Sequence, residues 1–245
     1  DYEVLENMIK GNDYSLKSED DMKTSLNILS LNYFGKNEKE RYGSPIVDPN
    51  TKRLSKTFSE YLKDEDYRSF VFDILNLAKY YNEKIQNSGN DLILYNQYTR
   101  LDFLKLVNWR NDKKNMANNI YGYRVLDGYI PLFITYHKSE DIDDSIKYED
   151  HFLNQEELAW VSRKNVSLKN KEINQIINHK EDGKTIYIFV KKNDSEGSQH
   201  YYLGEAEYMK GSANETTNVT EDKIVTMNFI MKTPIRDDIY RYLVN

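Results

Sequence analysis

The spacing of apolar positions changes once along the chain. Up to about residue 88 it is helical. Met22, Leu26, Leu29 and Tyr33 recur every three or four residues behind Ser18-Glu19-Asp20-Asp21, a capping residue followed by first-turn acids, and Gly35 offers a stop. Phe58 and Leu62 mark a second helix over 54–62. A third, beginning near Asp66, carries Phe70, Ile74, Leu77 and Tyr81 on one stripe. The run GKNEKERYGSPIVDPNTK, with Gly43, Pro45 and Pro49, predicts a loop between the first two. Asn87-Ser88-Gly89-Asn90 is small and polar and sits where the period changes. The spacing therefore predicts a helical connector or small bundle over 1–88 and a second domain over 89–245.

In the second domain period-two runs appear. Thr99 and Asp102 form a capping box that opens a helix through Leu101, Leu104 and Val107, ending near Asn108-Trp109. Residues 120–138, IYGYRVLDGYIPLFITYHK, predict a hairpin turning at Asp127-Gly128, with Ile130, Leu132, Ile134 and Tyr136 on one face and Phe133 and Thr135 on the other. The segment 140–150 is acidic and predicts an exposed stretch. Asn154 with Glu157 predicts a cap and a short helix toward Trp160, and 168–177 predicts another helix. Strands are predicted over 185–192, 201–207 and 224–231, the last two joined by an Asn/Thr-rich loop over 211–222, with a final helix after Pro234. The fold class is α+β, with five or six strands in a curved or barrel-like sheet.

Composition narrows the chemistry. With no cysteine among 245 residues, disulfides, thiolate zinc sites and thiol catalysis are excluded. A net charge of −6 argues against broad attraction to nucleic acid but leaves room for a local basic face. No apolar run approaches a bilayer span and DYEVLENMIKGNDY has no signal-peptide core, so the expected location is cytoplasmic with no membrane partner. The chain does not begin with Met and reads as a segment of a longer protein.

No phosphate-binding glycine loop, nucleophile elbow or paired metal-ligand histidines occur, and His137, His151, His179 and His200 are scattered. No catalytic or metal residues and no cofactor are assigned to this segment. What remains is a set of polar and aromatic residues at the ends of apolar elements. It comprises Tyr98, Arg100, Asp102, Asn108, Trp109, Tyr121, Tyr123, Tyr136, His137, Lys138, Trp160, Ser162, Arg163, His179, Lys180, Lys191 and Lys192. Cations for phosphates, aromatics for stacking and Asn or Asp for base edges suit nucleic acid. The same residue types also make ordinary core anchors, helix-start pairs and solvated strand ends.

The blocks LILYNQYTRLDFLKLVNW, IYGYR, PLFITYHK, KYEDHF, WVSRKN, INHK, IYIFVKK and YYLGEAE, in this order across 92–207, resemble the C-terminal domain of bacterial superfamily-2 helicase-like proteins, among them modification-dependent type IV restriction enzymes. The preceding helical stretch resembles their connector. The resemblance implies an SRA-like, PUA-like curved β-barrel with flanking helices that reads 5-methyl- or 5-hydroxymethylcytosine in double-stranded DNA by base flipping. It also implies a parent chain with a nuclease and a helicase-type motor, to which ATP and Mg²⁺ would belong. On this reading stacking falls to some of Tyr121, Tyr123, Tyr136 and Trp160, and the cytosine edge to Asp102 or Asp150. Phosphates fall to Arg100, Lys138, Arg163, Lys180, Lys191 and Lys192, and Asn108, Trp109, His137, Ser162 and His179 complete the DNA-facing set. A nuclease domain and a protein-interaction module attached to a motor are the alternatives.

Overall fold

The computed structural model describes residues 18–88, 92–109, 120, 122–137, 150–218 and 220–245. The chain divides into two compact units: Asp1–Ile93 with Leu104–Met116, and Leu94–Phe103 with Ala117–Asn245. In the first, α1 (Glu19–Leu29) is capped by Ser18, whose hydroxyl accepts from Asp21 N at 3.2 Å. The expected loop contains a polar helix, α2 (Lys36–Tyr42), stapled at its start by Glu38, which accepts from Gly35 N at 3.0 Å. Its lack of an apolar stripe hid it from periodicity. Ser55 caps α3 (Lys56–Tyr61), accepting from Phe58 N and donating to Pro45 O at 2.6 Å. The long α4 (Glu65–Ser88) lays Val71, Phe72 and Leu75 against Phe58 and Leu62.

The second unit is built around the second arm of the hairpin. Asp127-Gly128 turns the chain, with Gly128 at φ +76 and Leu126 N donating to Tyr129 O at 2.8 Å. The first arm is irregular and joins the second through one antiparallel bridge, Tyr123 to Leu132. After β1 (Gln97–Tyr98) and α5 (Arg100–Leu106), the second arm is β2 (Tyr129–His137). Then follow β3 (His151–Phe152), β4 (Glu157–Val161), α6 (Lys171–Ile177), β5 (Thr185–Asn193), β6 (His200–Tyr208), β7 (Asn214–Thr217), β8 (Lys223–Met231) and α7 (Asp237–Val244). The eight strands form one curved sheet in the order β2-β5-β6-β8-β4-β3, with β1 added to β6 and β7 to β8.

The expected α+β architecture holds, and the sheet stays unclosed. Side chains bridge its two edges instead. The Tyr136 ring of β2 stacks on Phe152 of β3 at 5.8 Å and 13°, and its hydroxyl accepts from Phe152 N at 3.4 Å. Inside lies the main core. Ile130, Leu132, Ile134 and Tyr136 meet Ile186, Ile188 and Val190 of β5, Met227 and Phe229 of β8, and Ile173 and Ile176 of α6. On the other face Phe133 stacks on Phe189 at 4.5 Å, opposite it in the parallel β2–β5 pair, with Phe103 of α5 against both. The two faces expected of the hairpin arm are thus both packed.

Two further elements differ from expectation. Residues 157–161 are a strand, because Leu158 and Trp160 alternate with Glu157, Ala159 and Val161. Asn154 caps a turn, accepting from Glu156 N at 2.8 Å. The loop over 211–222 contains β7, which pairs antiparallel with the neighbouring β8 from Asn214 opposite Thr226 to Thr217 opposite Lys223. Gly204 faces a bulge, where the β5–β6 register slips between Ile188 and Phe189. It sits at φ +113, and a Cβ there would lie 3.2 Å from Leu94 Cδ2. Gly204→Ala is expected to lose about 1–3 kcal/mol, read as a lower urea midpoint. Among the described residues no helix is long and apolar enough to cross a membrane.

Candidate nucleic-acid interface

The residues singled out from sequence fall in four places in the second unit, with two more in the first and two outside the described set. The largest assembly joins three separate stretches of chain. Tyr123, held by its bridge to β2, meets Trp160 of β4 edge-on at 5.0 Å, and Trp160 meets Phe229 at 5.7 Å. Tyr123 is 1% and Trp160 3% exposed, so both rings are core rings with no face open to a base. Beside them Asp150, buried, accepts from Val161 N at 2.9 Å. Ser162 ends β4 by a double tie to β8: its N donates to Val225 O at 2.8 Å and its Oγ accepts from Val225 N at 2.9 Å.

The Arg163 guanidinium lies 4.2 Å from the centroid of the Tyr123 ring and is ion-paired to Glu172 in the first turn of α6. Asn170 starts that helix, accepting from Glu172 N and Ile173 N. Burial raises the Tyr123 phenol above its usual range, with the nearby Arg163 charge pulling the other way. Two packed aromatic rings and a half-exposed guanidinium are therefore in contact, and a buried carboxylate is bonded to the backbone one residue beyond Trp160.

A second place lies under β1 and the start of α5. Asp102 spends Oδ2 on the cap, accepting from Thr99 N at 3.0 Å and Thr99 Oγ1 at 2.7 Å, while Thr99 Oγ1 accepts from Asp102 N at 3.1 Å. That local box uses one carboxylate oxygen of the residue offered as an edge reader. The Arg100 guanidinium stands 5.6 Å from the Phe133 centroid. Lys191 is buried, its ammonium donating to Gly197 O at 2.9 Å and pairing with Asp194 at 2.9 Å.

His200 was not among the candidates, because its strand partner Tyr98 comes from a distant stretch of the chain. It is 1% exposed, edge-on to Phe133 at 5.1 Å, with Nδ1 3.1 Å from Ser198 O. Nε2 is buried with no hydrogen-bond partner among the described residues. Burial, then the charge of Arg100, lowers its pKa to about 4. Lys191 lowers it further, and the Ser198 carbonyl opposes the shift.

The remaining candidates are tied elsewhere. Tyr136 is the edge-bridging core ring, and His137 Nε2 lies 3.1 Å from Leu243 O of α7. The Lys192 ammonium stands 5.3 Å from the Tyr242 centroid. His179 is a turn lock: Nδ1 lies 3.0 Å from Lys184 O, and Nε2 accepts from Tyr208 N at 3.3 Å, so neither nitrogen is left for DNA. Lys180 pairs with Glu207 at 2.6 Å, which holds that carboxyl below its usual range. Asn108, at φ +51, donates to Asp21 Oδ1 at 2.6 Å, and Trp109 N donates to Leu104 O, both within the first unit. Tyr121 and Lys138 lie outside the described residues. Among the described residues no three His, Asp or Glu side chains cluster as metal ligands.

A family model described as a domain of unknown function, DUF3427, matches residues 92–243, and a second, DUF8090, also of unknown function, matches 2–87. No curated protein matches. Among solved structures, the chain is similar to SUVH5 SRA in complex with hemi-methylated CG DNA at 10% identity and a TM-score of 0.39, covering 60% of this chain and 92% of that one. It is similar to the DNA modification-dependent restriction endonuclease AspBHI at 12% and 0.38, over 60% and 78%. It is also similar to KRYPTONITE, in complex with mCHH DNA, an H3 peptide and SAH, at 9% and 0.37, over 60% and 34%.

Proposed function

The chain belongs to the DUF3427 family, and from that premise we propose that its second unit is a DNA-binding reader of 5-methyl- or 5-hydroxymethylcytosine in duplex DNA. The observation that supports the reading is the contact of Tyr123 with Trp160 and Arg163, at a strand end to which Asp150 is tied through Val161 N. A carboxylate accepts from cytosine N4–H₂, and a guanidinium holds a phosphate. Burial keeps the Asp150 carboxylate in a low-dielectric setting, where its hydrogen bond counts for most. On this reading the nucleotide is turned out of the stack toward Asp150, and the C5 substituent is weighed against an apolar surface. In the wider protein the unit serves as the recognition part of an ATP-dependent enzyme of the type IV kind, such as SauUSI, whose sequence this chain resembles. Nuclease and motor then lie in the same parent chain.

The test is an anisotropy titration of the chain with matched duplexes carrying cytosine, 5-methylcytosine or 5-hydroxymethylcytosine at several salt concentrations. A methyl-sized difference in an apolar niche is worth about 1–3 kcal/mol, so about ten-fold or greater preference for a modified duplex is expected. Asp150→Asn is expected to weaken modified and unmodified duplexes together, since both bases carry the same N4–H₂, and Arg163→Gln to weaken all duplexes and flatten the salt slope. Equal affinity for modified and unmodified duplexes sinks the reader, and binding to neither points to an interaction module.

A further inference from the structure

The first unit carries a surface that neither the core nor the reader accounts for. Along α4 the residues Tyr67, Phe70, Ile74, Leu77 and Tyr81 follow one another at spacings of three, four, three and four, and all are exposed, from 38% at Tyr67 to 65% at Phe70. The other flank of the same helix, Val71, Phe72 and Leu75, already packs on the unit's own core. A helix whose seam repeats every 3.5 residues fits another helix lying nearly along it, knobs into holes. It fits neither a strand, which repeats every two residues, nor a lipid surface, where cations would flank the apolar face. The positions flanking this seam are acidic and apolar: Asp66 and Asp73 on one side, Val71 and Ala78 on the other.

We propose that this seam pairs two copies of the chain through a parallel α4–α4 contact. Identity supplies the register: with Tyr67, Ile74 and Tyr81 in one set of layers and Phe70 and Leu77 in the other, each layer meets its own copy over the same length. Charge supplies the direction. A parallel pair sets Asp66 beside Val71 of the second copy and Asp73 beside its Ala78. An antiparallel pair gathers the carboxylates of both copies along one flank and repels. Area supplies the strength. Half-exposed side chains of this size leave on the order of 500 Å² per copy. The pair therefore buries on the order of 1,000 Å², at the lower bound for a specific interface, so association is concentration-dependent rather than permanent.

Sedimentation equilibrium of the full chain is expected to show the mass rising from 29.1 kDa toward twice that value with concentration. Leu77→Glu is expected to weaken association at least ten-fold with an unchanged far-UV circular dichroism spectrum, because Leu77 is already in water in the single copy. The chain has no cysteine, so an introduced one reports alone. Tyr81→Cys is expected to form a disulfide-linked dimer on mild oxidation. Tyr67→Cys mixed with Tyr81→Cys is expected to give mainly the two like-with-like dimers. A chain that stays at 29.1 kDa at hundreds of micromolar overturns the proposal. So does Leu77→Glu associating like the parent sequence, or the mixed pair cross-linking preferentially.

Discussion

Lowering the pH from 7 to 5 is expected to remove roughly 2 kcal/mol of the second unit's stability, and His200→Phe is expected to abolish most of that loss. In the fold the His200 pKa stands at about 4, against about 6.5 for a free imidazole, because the ring is buried beside Arg100 and Lys191. Between those two values the unfolded chain takes up a proton that the folded chain refuses. Stability is therefore complete above about pH 6.5 and declines as the pH falls toward 4. Asp222, held at about 2 in the fold, loses its contribution only as the pH falls below about 3.8, under the window that His200 governs. Phenylalanine keeps the edge contact with Phe133 and gives up the bond to Ser198 O, a cost that does not vary with pH. Urea unfolding at pH 7, 6 and 5, followed by Trp160 emission in a Trp109→Phe background, reads the slope. Equal slopes with and without His200 would refute the assignment.

His200 also marks where the sequence stops being readable. Interactions that close within three or four residues were legible: the Ser18 cap, the Thr99–Asp102 box, the Asp127-Gly128 turn and the two faces of β2 all follow from local spacing. The pairing of β2 with β5 and of β1 with β6 was not, since strands separated by tens of residues leave no mark on each other's periodicity. That is why Tyr98 and His200 could not be joined in advance, and why 157–161 passed for a helix: a genuine cap at Asn154 preceded it, while only its partner β8 makes it a strand. The candidate site shows the same division. Residue types at element ends identified Tyr123, Trp160 and Arg163, and the family resemblance Asp150, without revealing that the first three meet. The same reasoning also gathered His179 and Asp102, whose polar atoms are already used in a turn and a cap. An aromatic and a carboxylate have the same composition whether they face a base or a core, and burial alone separates the two.

Trp160→Ala is expected to have the largest effect on stability, about 3–5 kcal/mol, and it separates those two roles. The indole sits in β4 opposite Met227, wedged between the Tyr123 and Phe229 rings and 3% exposed, so its removal opens a large cavity in the main core. Neighbours fixed in two strands and a bridged arm cannot collapse into that space. Trp160→Phe keeps an aromatic edge against Tyr123 and is expected to lose less than half as much. Denaturant midpoints give the stability arm, and the modified-over-unmodified duplex affinity ratio gives the functional one. For a core indole the ratio is expected to follow the folded fraction, so Trp160→Phe, measured where it is fully folded, retains the parental preference. A fully folded Trp160→Ala with parental stability and no preference for 5-methylcytosine would instead make Trp160 a base-stacking residue, in a conformation where β4 opens toward the DNA.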